Sequence, residues 1–226
     1  MNKTNPLIIA LDVETFDEAK KLVESLGDSV DIYKVGSQLF TAYGPEVIKY
    51  LERQGKKVFL DLKFHDIPNT VAKAVESAVG LGVFMLTIHT QGGKEMMEAA
   101  AAAARKKSPR PLVVGVTVLT SDTETVATSQ TVLQRARLAL ASGLDGVVAS
   151  PQEVVLLRRE LGPNFIIVTP GIRPASASAD DQKRIATPKD AIKSGSNYLV
   201  VGRPVVKAAD PRQAAQNILS EIRNVK

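Results

Sequence analysis

The chain predicts a single (β/α)8 barrel of the TIM type, spanning residues 1–226, and three observations carry that prediction. Eight apolar runs of strand length recur along 226 residues, each followed by a segment with helical spacing. The runs are apolar throughout rather than alternating, the pattern of strands buried on both faces of a parallel sheet. The length falls within the usual range of one such barrel, and eight strand-helix units favour a closed ring over an open sheet.

Residues 6–11 (PLIIAL) form the first run, which ends at Asp12. Thr15 followed three residues later by Glu18 reads as a capping box, and Phe16, Ala19, Leu22, Val23 and Leu26 keep helical spacing up to Gly27. Further strands are expected from about Asp31, Lys57, Val83, Pro111, Leu144, Phe165 and Asn197. An alanine-rich helix covers 96–105, with Lys106 and Lys107 at its dipole-favoured end. Ser150-Pro-Gln-Glu153 is a second capping box, and Asp210-Pro211 opens a last helix whose Ala214, Ile218 and Ile222 share one face. Two segments break the rhythm. Residues 171–187 are long, small and polar, which suits a lid, and residues 120–131, rich in Thr and Ser, read as another loop on the same face.

Composition narrows the function classes. Apolar residues make up 44% and charged residues 23%, and no apolar run approaches the ~20 residues of a membrane helix. The N-terminus lacks a signal-peptide core and there is no cysteine, so a cytoplasmic protein without disulfides is expected. The net charge of +5 is spread along the chain and aromatic residues are only 4%, which argues for an anionic small ligand over nucleic acid.

Barrels of this type place the active site at the C-terminal ends of their strands. The polar residues expected there are Asp12, Lys34, Asp61 with Lys63, His89, Thr117 to Thr120, Ser150, Arg173 and Arg203. Asp61 and Lys63 are two apart on a strand and should face the same way, into the mouth. A lysine held beside carboxylates stays protonated and suits a proton donor, although a structural ion-pair network has the same spacing. Gly202-Arg203 and Arg173 fit the phosphate site that barrels build from their last two loops, against the alternative of surface arginines. His65 and His89 read as structural histidines. Neither H-x-H nor H-E-x-x-H occurs, so no metal site is expected, and no G-x-S-x-G elbow supports a serine nucleophile.

The run Asp61-Leu-Lys-Phe-His-Asp-Ile-Pro-Asn-Thr70 resembles the D-x-K-x-x-D signature of the orotidine 5′-phosphate decarboxylase family in its bacterial form. Ile9-Ala-Leu-Asp12, Tyr33-Lys-Val-Gly36, Val118-Leu-Thr-Ser121, Asp145-Gly-Val-Val148, Thr169-Pro-Gly-Ile-Arg-Pro174, Asp180-Asp-Gln-Lys-Arg184 and Val201-Gly-Arg-Pro204 resemble it in order. The chain departs from that pattern at His89-Thr-Gln-Gly-Gly93 and in a short 121–131 segment. The resemblance implies cofactor-free decarboxylation of orotidine 5′-monophosphate, with Lys63 protonating C6, Asp61 against the substrate carboxylate and Lys34 holding that array and the ribose. It implies that Asp12 binds a ribose hydroxyl, that Thr120 contacts the pyrimidine and that Gln182 links base to phosphate. Arg173, Gly202 and Arg203 would hold the phosphate. Asp66 and Thr70 would serve the partner's site across a homodimer interface. The rival expectations are a metal-dependent phosphosugar barrel and a non-catalytic nucleotide or nucleic-acid binder.

Overall fold

The computed structural model describes residues 5–119, 126–174 and 186–225, with backbone alone for 126 and 127. Eight parallel strands close into a ring in sequence order. They are β1 (Leu7–Ala10), β2 (Ile32–Gly36), β3 (Lys57–Phe64), β4 (Met85–His89), β5 (Leu112–Val116), β6 (Gly146–Val148), β7 (Ile166–Thr169) and β8 (Tyr198–Val201). Closure is made by β1 on β8, with Leu7 opposite Leu199 and Ile9 opposite Val201. All eight strands expected from the sequence are present.

The apolar runs divide by alternation into two cores. Ile8, Ile32, Phe59, Met85, Val114 and Val168 pack together inside the ring. Their neighbours Leu7, Ile9, Tyr33, Leu60, Leu86, Val113 and Ile167 point outward into a second cluster with the helices. Both faces of each strand are therefore buried, which is why the runs are apolar without interruption. The same alternation decides which polar residues enter the mouth. Lys34, Asp61 and Thr87 each stand two residues beyond an interior side chain, Ile32, Phe59 and Met85 respectively. Gly146 is required by close approach: a Cβ there would lie 2.0 Å from the Ile166 carbonyl oxygen.

The helices follow with local adjustments. In α1 (Phe16–Leu26), Thr15 accepts the Glu18 N–H, but the Glu18 carboxylate reaches the Glu14 N–H rather than that of Thr15. The short helices α2 (Ser37–Tyr43) and α3 (Pro45–Arg53) fill the β2-to-β3 crossover, and α4 (Pro68–Gly80) starts on Pro68. In α5 (Gly93–Ala104) the alanines permit close packing on α4, and the lysines beyond it join the two helices: Lys106 pairs with Glu76, and Lys107 donates to the Val79 carbonyl. The segment expected as a loop over 120–131 is helical from Val126 in α6 (Val126–Ala141), because Val132, Ala136 and Ala139 supply a buried stripe at helical spacing.

At the second capping box, the Glu153 carboxylate accepts the Ser150 N–H at 2.8 Å. Its first turn is 3-10 (Pro151–Glu153) and leads into α7 (Val154–Leu161). After α8 (Pro188–Ser194) and the one-turn α9 (Arg203–Val206), α10 (Pro211–Arg223) is capped by Asp210. Its buried residues are Ala215, Ile218 and Leu219, with Ala214 and Ile222 flanking them, so its inner face is turned slightly from the one read in the sequence. Among the described residues, no helix is long and apolar enough to cross a membrane.

Candidate active site

Period-two alternation breaks down in β3, at the residues richest in charge. Leu60 pairs with Leu86, and the next pairing is Phe64 with Ile88. Residues 61–63 thus face the single β4 residue Thr87, and the strand bulges. Lys63 takes φ 53°, the one positive value of a non-glycine residue among those described. That conformation costs about 1–2 kcal/mol for a side chain with a Cβ. Asp61 and Lys63 do share the mouth, as expected, but the bulge rather than plain strand alternation brings the lysine there.

A four-membered charge network results. The Lys63 ammonium donates to Asp61 Oδ1 at 3.0 Å. Lys34 Nζ lies 3.6 Å from Asp61 Oδ2 and donates to Asp12 Oδ1 at 3.0 Å. Thr87 Oγ1 stands 3.0 Å from Asp61 Oδ1 and accepts the Lys63 backbone N–H at 2.9 Å. Burial pushes the Asp61 carboxyl up, yet Lys34, Lys63 and the hydrogen bonds from Lys63 and Thr87 outweigh it and hold the pKa below its ordinary value. Asp61 is accordingly an anion gripped from three sides. Gly36 makes room for the network, since a Cβ there would lie 3.1 Å from Lys34 Nζ.

Asp12, Lys34, Asp61 and Lys63 form one wall of a cavity of about 320 Å³ at the C-terminal end of the ring. Arg173, Gly202 and Arg203 line the same cavity, Gly202 beside Asp12, and Val116, Val148 and Val200 add apolar lining. Arg173 is buried on the strand-like pairing of Ile172 with Ala186, where its N–H donates to the Ala186 carbonyl at 3.0 Å. This pairing joins the two described ends of the expected lid. An ammonium–carboxylate array, two arginines and apolar side chains lining one cavity suit a flat ligand bearing an anionic tail.

The structure therefore brings together seven residues read from the sequence: Asp12, Lys34, Asp61, Lys63, Arg173, Gly202 and Arg203. Other sequence-predicted residues fall elsewhere. Thr117 turns its hydroxyl to the Val148 carbonyl at 3.0 Å, and Ser150 is buried beneath its helix start. The His65 and His89 rings lie 5.4 Å apart outside the cavity lining. Burial, then His65 and Lys63, lower the His89 pKa, and among the described residues its Nδ1 has no hydrogen-bond partner. Asp66 and Thr70 are exposed and do not line this cavity. Thr120 and Gln182 lie outside the described residues. Sequence reasoning missed Thr87; its signal is a hydroxyl two residues beyond an inward methionine, in a strand whose other residues before His89 are apolar.

Comparison with known proteins bears on the chain as a whole. The family model described as orotidine 5′-phosphate decarboxylase / HUMPS family matches residues 5–218. An orotidine 5′-phosphate decarboxylase of Pelobacter propionicus is 50% identical over 226 residues, covering 96% of this chain and 94% of the relative. One from Moorella thermoacetica is 46% identical, covering 100% of this chain and 95% of the relative. Among solved structures, the enzyme of that name from Lactobacillus acidophilus superposes with a TM-score of 0.85 at 39% identity, covering 97% of this chain and 99% of that one. The Pyrococcus horikoshii enzyme gives 0.78 at 27%, covering 97% and 100%. A barrel shared for architectural reasons alone would carry no such identity along its whole length, and the chain belongs to the orotidine 5′-phosphate decarboxylase / HUMPS family.

Proposed function

We propose that this chain, acting as a single barrel domain, decarboxylates orotidine 5′-monophosphate to uridine 5′-monophosphate in pyrimidine biosynthesis, without a cofactor, and that Lys63 is the proton donor. The observation that carries the reading is the Lys63 ammonium, 3.0 Å from a carboxylate that Lys34 also grips, in a cavity that Arg173 and Arg203 also line. The C6–carboxylate bond breaks, carbon dioxide leaves, and the electron pair stays on C6. The fixed ammonium stabilises that charge and then transfers a proton from Nζ to C6; the neutral amine regains a proton from water. Asp61 orients the Lys63 ammonium and stands against the departing carboxylate.

The remaining groups position the nucleotide. Arg173, Gly202 and Arg203 hold the phosphate, Asp12 and Lys34 hold the ribose, and Thr120 and Gln182 contact base and lid. Phosphate binding far from C6 supplies energy for closing the site over the pyrimidine. Asp66 and Thr70 reach the partner's site in a homodimer, which accounts for their exposure and for Ile67 beside them, 66% exposed. No nucleic acid or membrane partner is required, and the enzyme works in the cytoplasm.

An ultraviolet assay of orotidine 5′-monophosphate loss, with and without chelator and beside Lys63→Ala, tests the reading. Activity that survives chelator and falls by on the order of 10²–10⁴ in the variant is expected. An inactive wild-type protein sinks the reaction, loss of activity to chelator favours the metal-dependent phosphosugar chemistry, and a fully active variant sinks the role of Lys63.

A further inference from the structure

We infer that Thr87 is a positioning residue for the reaction proposed above, fixing both ends of Lys63 through one hydroxyl. The inference rests on that reading and on the bulge in β3. Because residues 61–63 face Thr87 alone, the Lys63 N–H is withdrawn from the ladder that pairs its neighbours with β4. A buried amide left unpaired is costly. The Thr87 side chain replaces the missing ladder acceptor, taking that N–H at 2.9 Å.

Hydrogen-bond chemistry fixes the direction of the second contact. A hydroxyl has one proton, and the amide already occupies a lone pair, so the proton at Oγ1 goes to Asp61 Oδ1, 3.0 Å away. That same carboxylate oxygen receives the Lys63 ammonium at 3.0 Å. The contacts close a loop that leaves Lys63 at its backbone and returns to Lys63 at its tip. Thr87 is fully buried, and its two hydrogen bonds hold the hydroxyl where both contacts are made. Its backbone is fixed on the other side by the pairing of Thr87 with Val114 of β5. The strained Lys63 backbone and the tip of its side chain therefore share one anchor on a rigid strand.

Valine matches threonine in shape and lacks the hydroxyl, so Thr87→Val separates the hydrogen bonds from packing; Thr87→Ser keeps them. Full-length wild type, Thr87→Val, Thr87→Ala and Thr87→Ser are compared by steady-state kinetics with orotidine 5′-monophosphate, by calorimetric binding of uridine 5′-monophosphate and by thermal melting. The valine and alanine variants should lose about 10- to 100-fold in kcat while KM and product affinity stay within about threefold, and serine should recover wild-type kcat. The acid limb of their rate profiles should move to higher pH, since Asp61 has lost a donor. Valine and alanine variants with wild-type kcat, or a serine variant as slow as valine, overturn the inference while leaving the decarboxylase reading intact; so does product binding that falls in step with kcat. Should valine prevent folding, the alanine and serine pair decides. Carbon NMR titration of Asp61 reads the same contact without substrate: its pKa should rise in Thr87→Ala and not in Thr87→Ser. An unmoved Asp61 overturns the inference even if the wild type is inactive on this nucleotide.

Discussion

Lys34 and Asp61 stand 3.6 Å apart with side chains only 11% and 13% exposed, and Lys34 simultaneously holds Asp12 at 3.0 Å. One ammonium thus joins the ends of β1, β2 and β3. Burial opposes ionising Asp61, and its charge survives because cations stand on both sides of it.

Lys34→Met should therefore destabilise the protein by about 2 kcal/mol, since it leaves a largely buried carboxylate with one cation fewer. Asp61 has a depressed pKa in the folded state, so its stabilising contribution is present above the ordinary carboxylate range and is lost as pH falls through the folded value. In the variant that loss begins at higher pH. Chemical denaturation from neutral pH down to the acid transition checks both statements; an unchanged stability profile contradicts them.

Arg203→Ala should lower kcat/KM for orotidine 5′-monophosphate by about 10- to 100-fold, the loss of one or two charge-assisted hydrogen bonds. Orotidine, which lacks the phosphate, should be processed equally poorly by wild type and variant. Measured against both substrates, an unchanged preference for the phosphorylated one places the phosphate away from Arg203.

Lys63→Ala and Asp66→Ala chains, each inactive alone, should complement when mixed. If each site takes Lys63 from one chain and Asp66 from the other, a mixed dimer holds one intact site, and random exchange restores about a quarter of the sites. Verified subunit exchange without recovered activity excludes a shared site.

Gly146→Ala tests the ring itself. Its Cβ would meet backbone, the Ile166 carbonyl at 2.0 Å, so β6 and β7 must separate. A loss of about 3 kcal/mol, or roughly 6–12 °C in Tm by calorimetry, is expected. A wild-type melting temperature shows that the pair relaxes.

What the sequence made legible follows from how local each signal is. Runs such as Leu7-Ile-Ile-Ala10 and Leu112-Val-Val-Gly-Val116 carry their burial in their own composition, and Asp210 and Thr15 announce their helices by hydrogen bonds reaching three residues. Asp61, Lys63 and Arg203 were legible because strand ends converge in a barrel. The bulge was not, because it is a mismatch between β3 and β4 that neither strand encodes alone. Thr87 stayed hidden for the same reason: its function depends on which residues stand across from it. The dipole argument for Lys106 also stopped short, since its partner, Glu76, is thirty positions away.

The ring closes between β1 and β8, the first strand and the last. The cationic and acidic wall, from Asp12 to Lys63, is encoded in the first third of the chain, whereas Arg173 and Arg203 arrive near its end. During synthesis the Asp12-to-Lys63 wall leaves the ribosome long before Arg173 and Arg203, and β1 waits with one edge unsatisfied until β8 is available. On the proposed function, nascent or truncated chains would hold the decarboxylating half of the site without the half that retains the nucleotide, so catalytic competence and completion of the sheet would coincide.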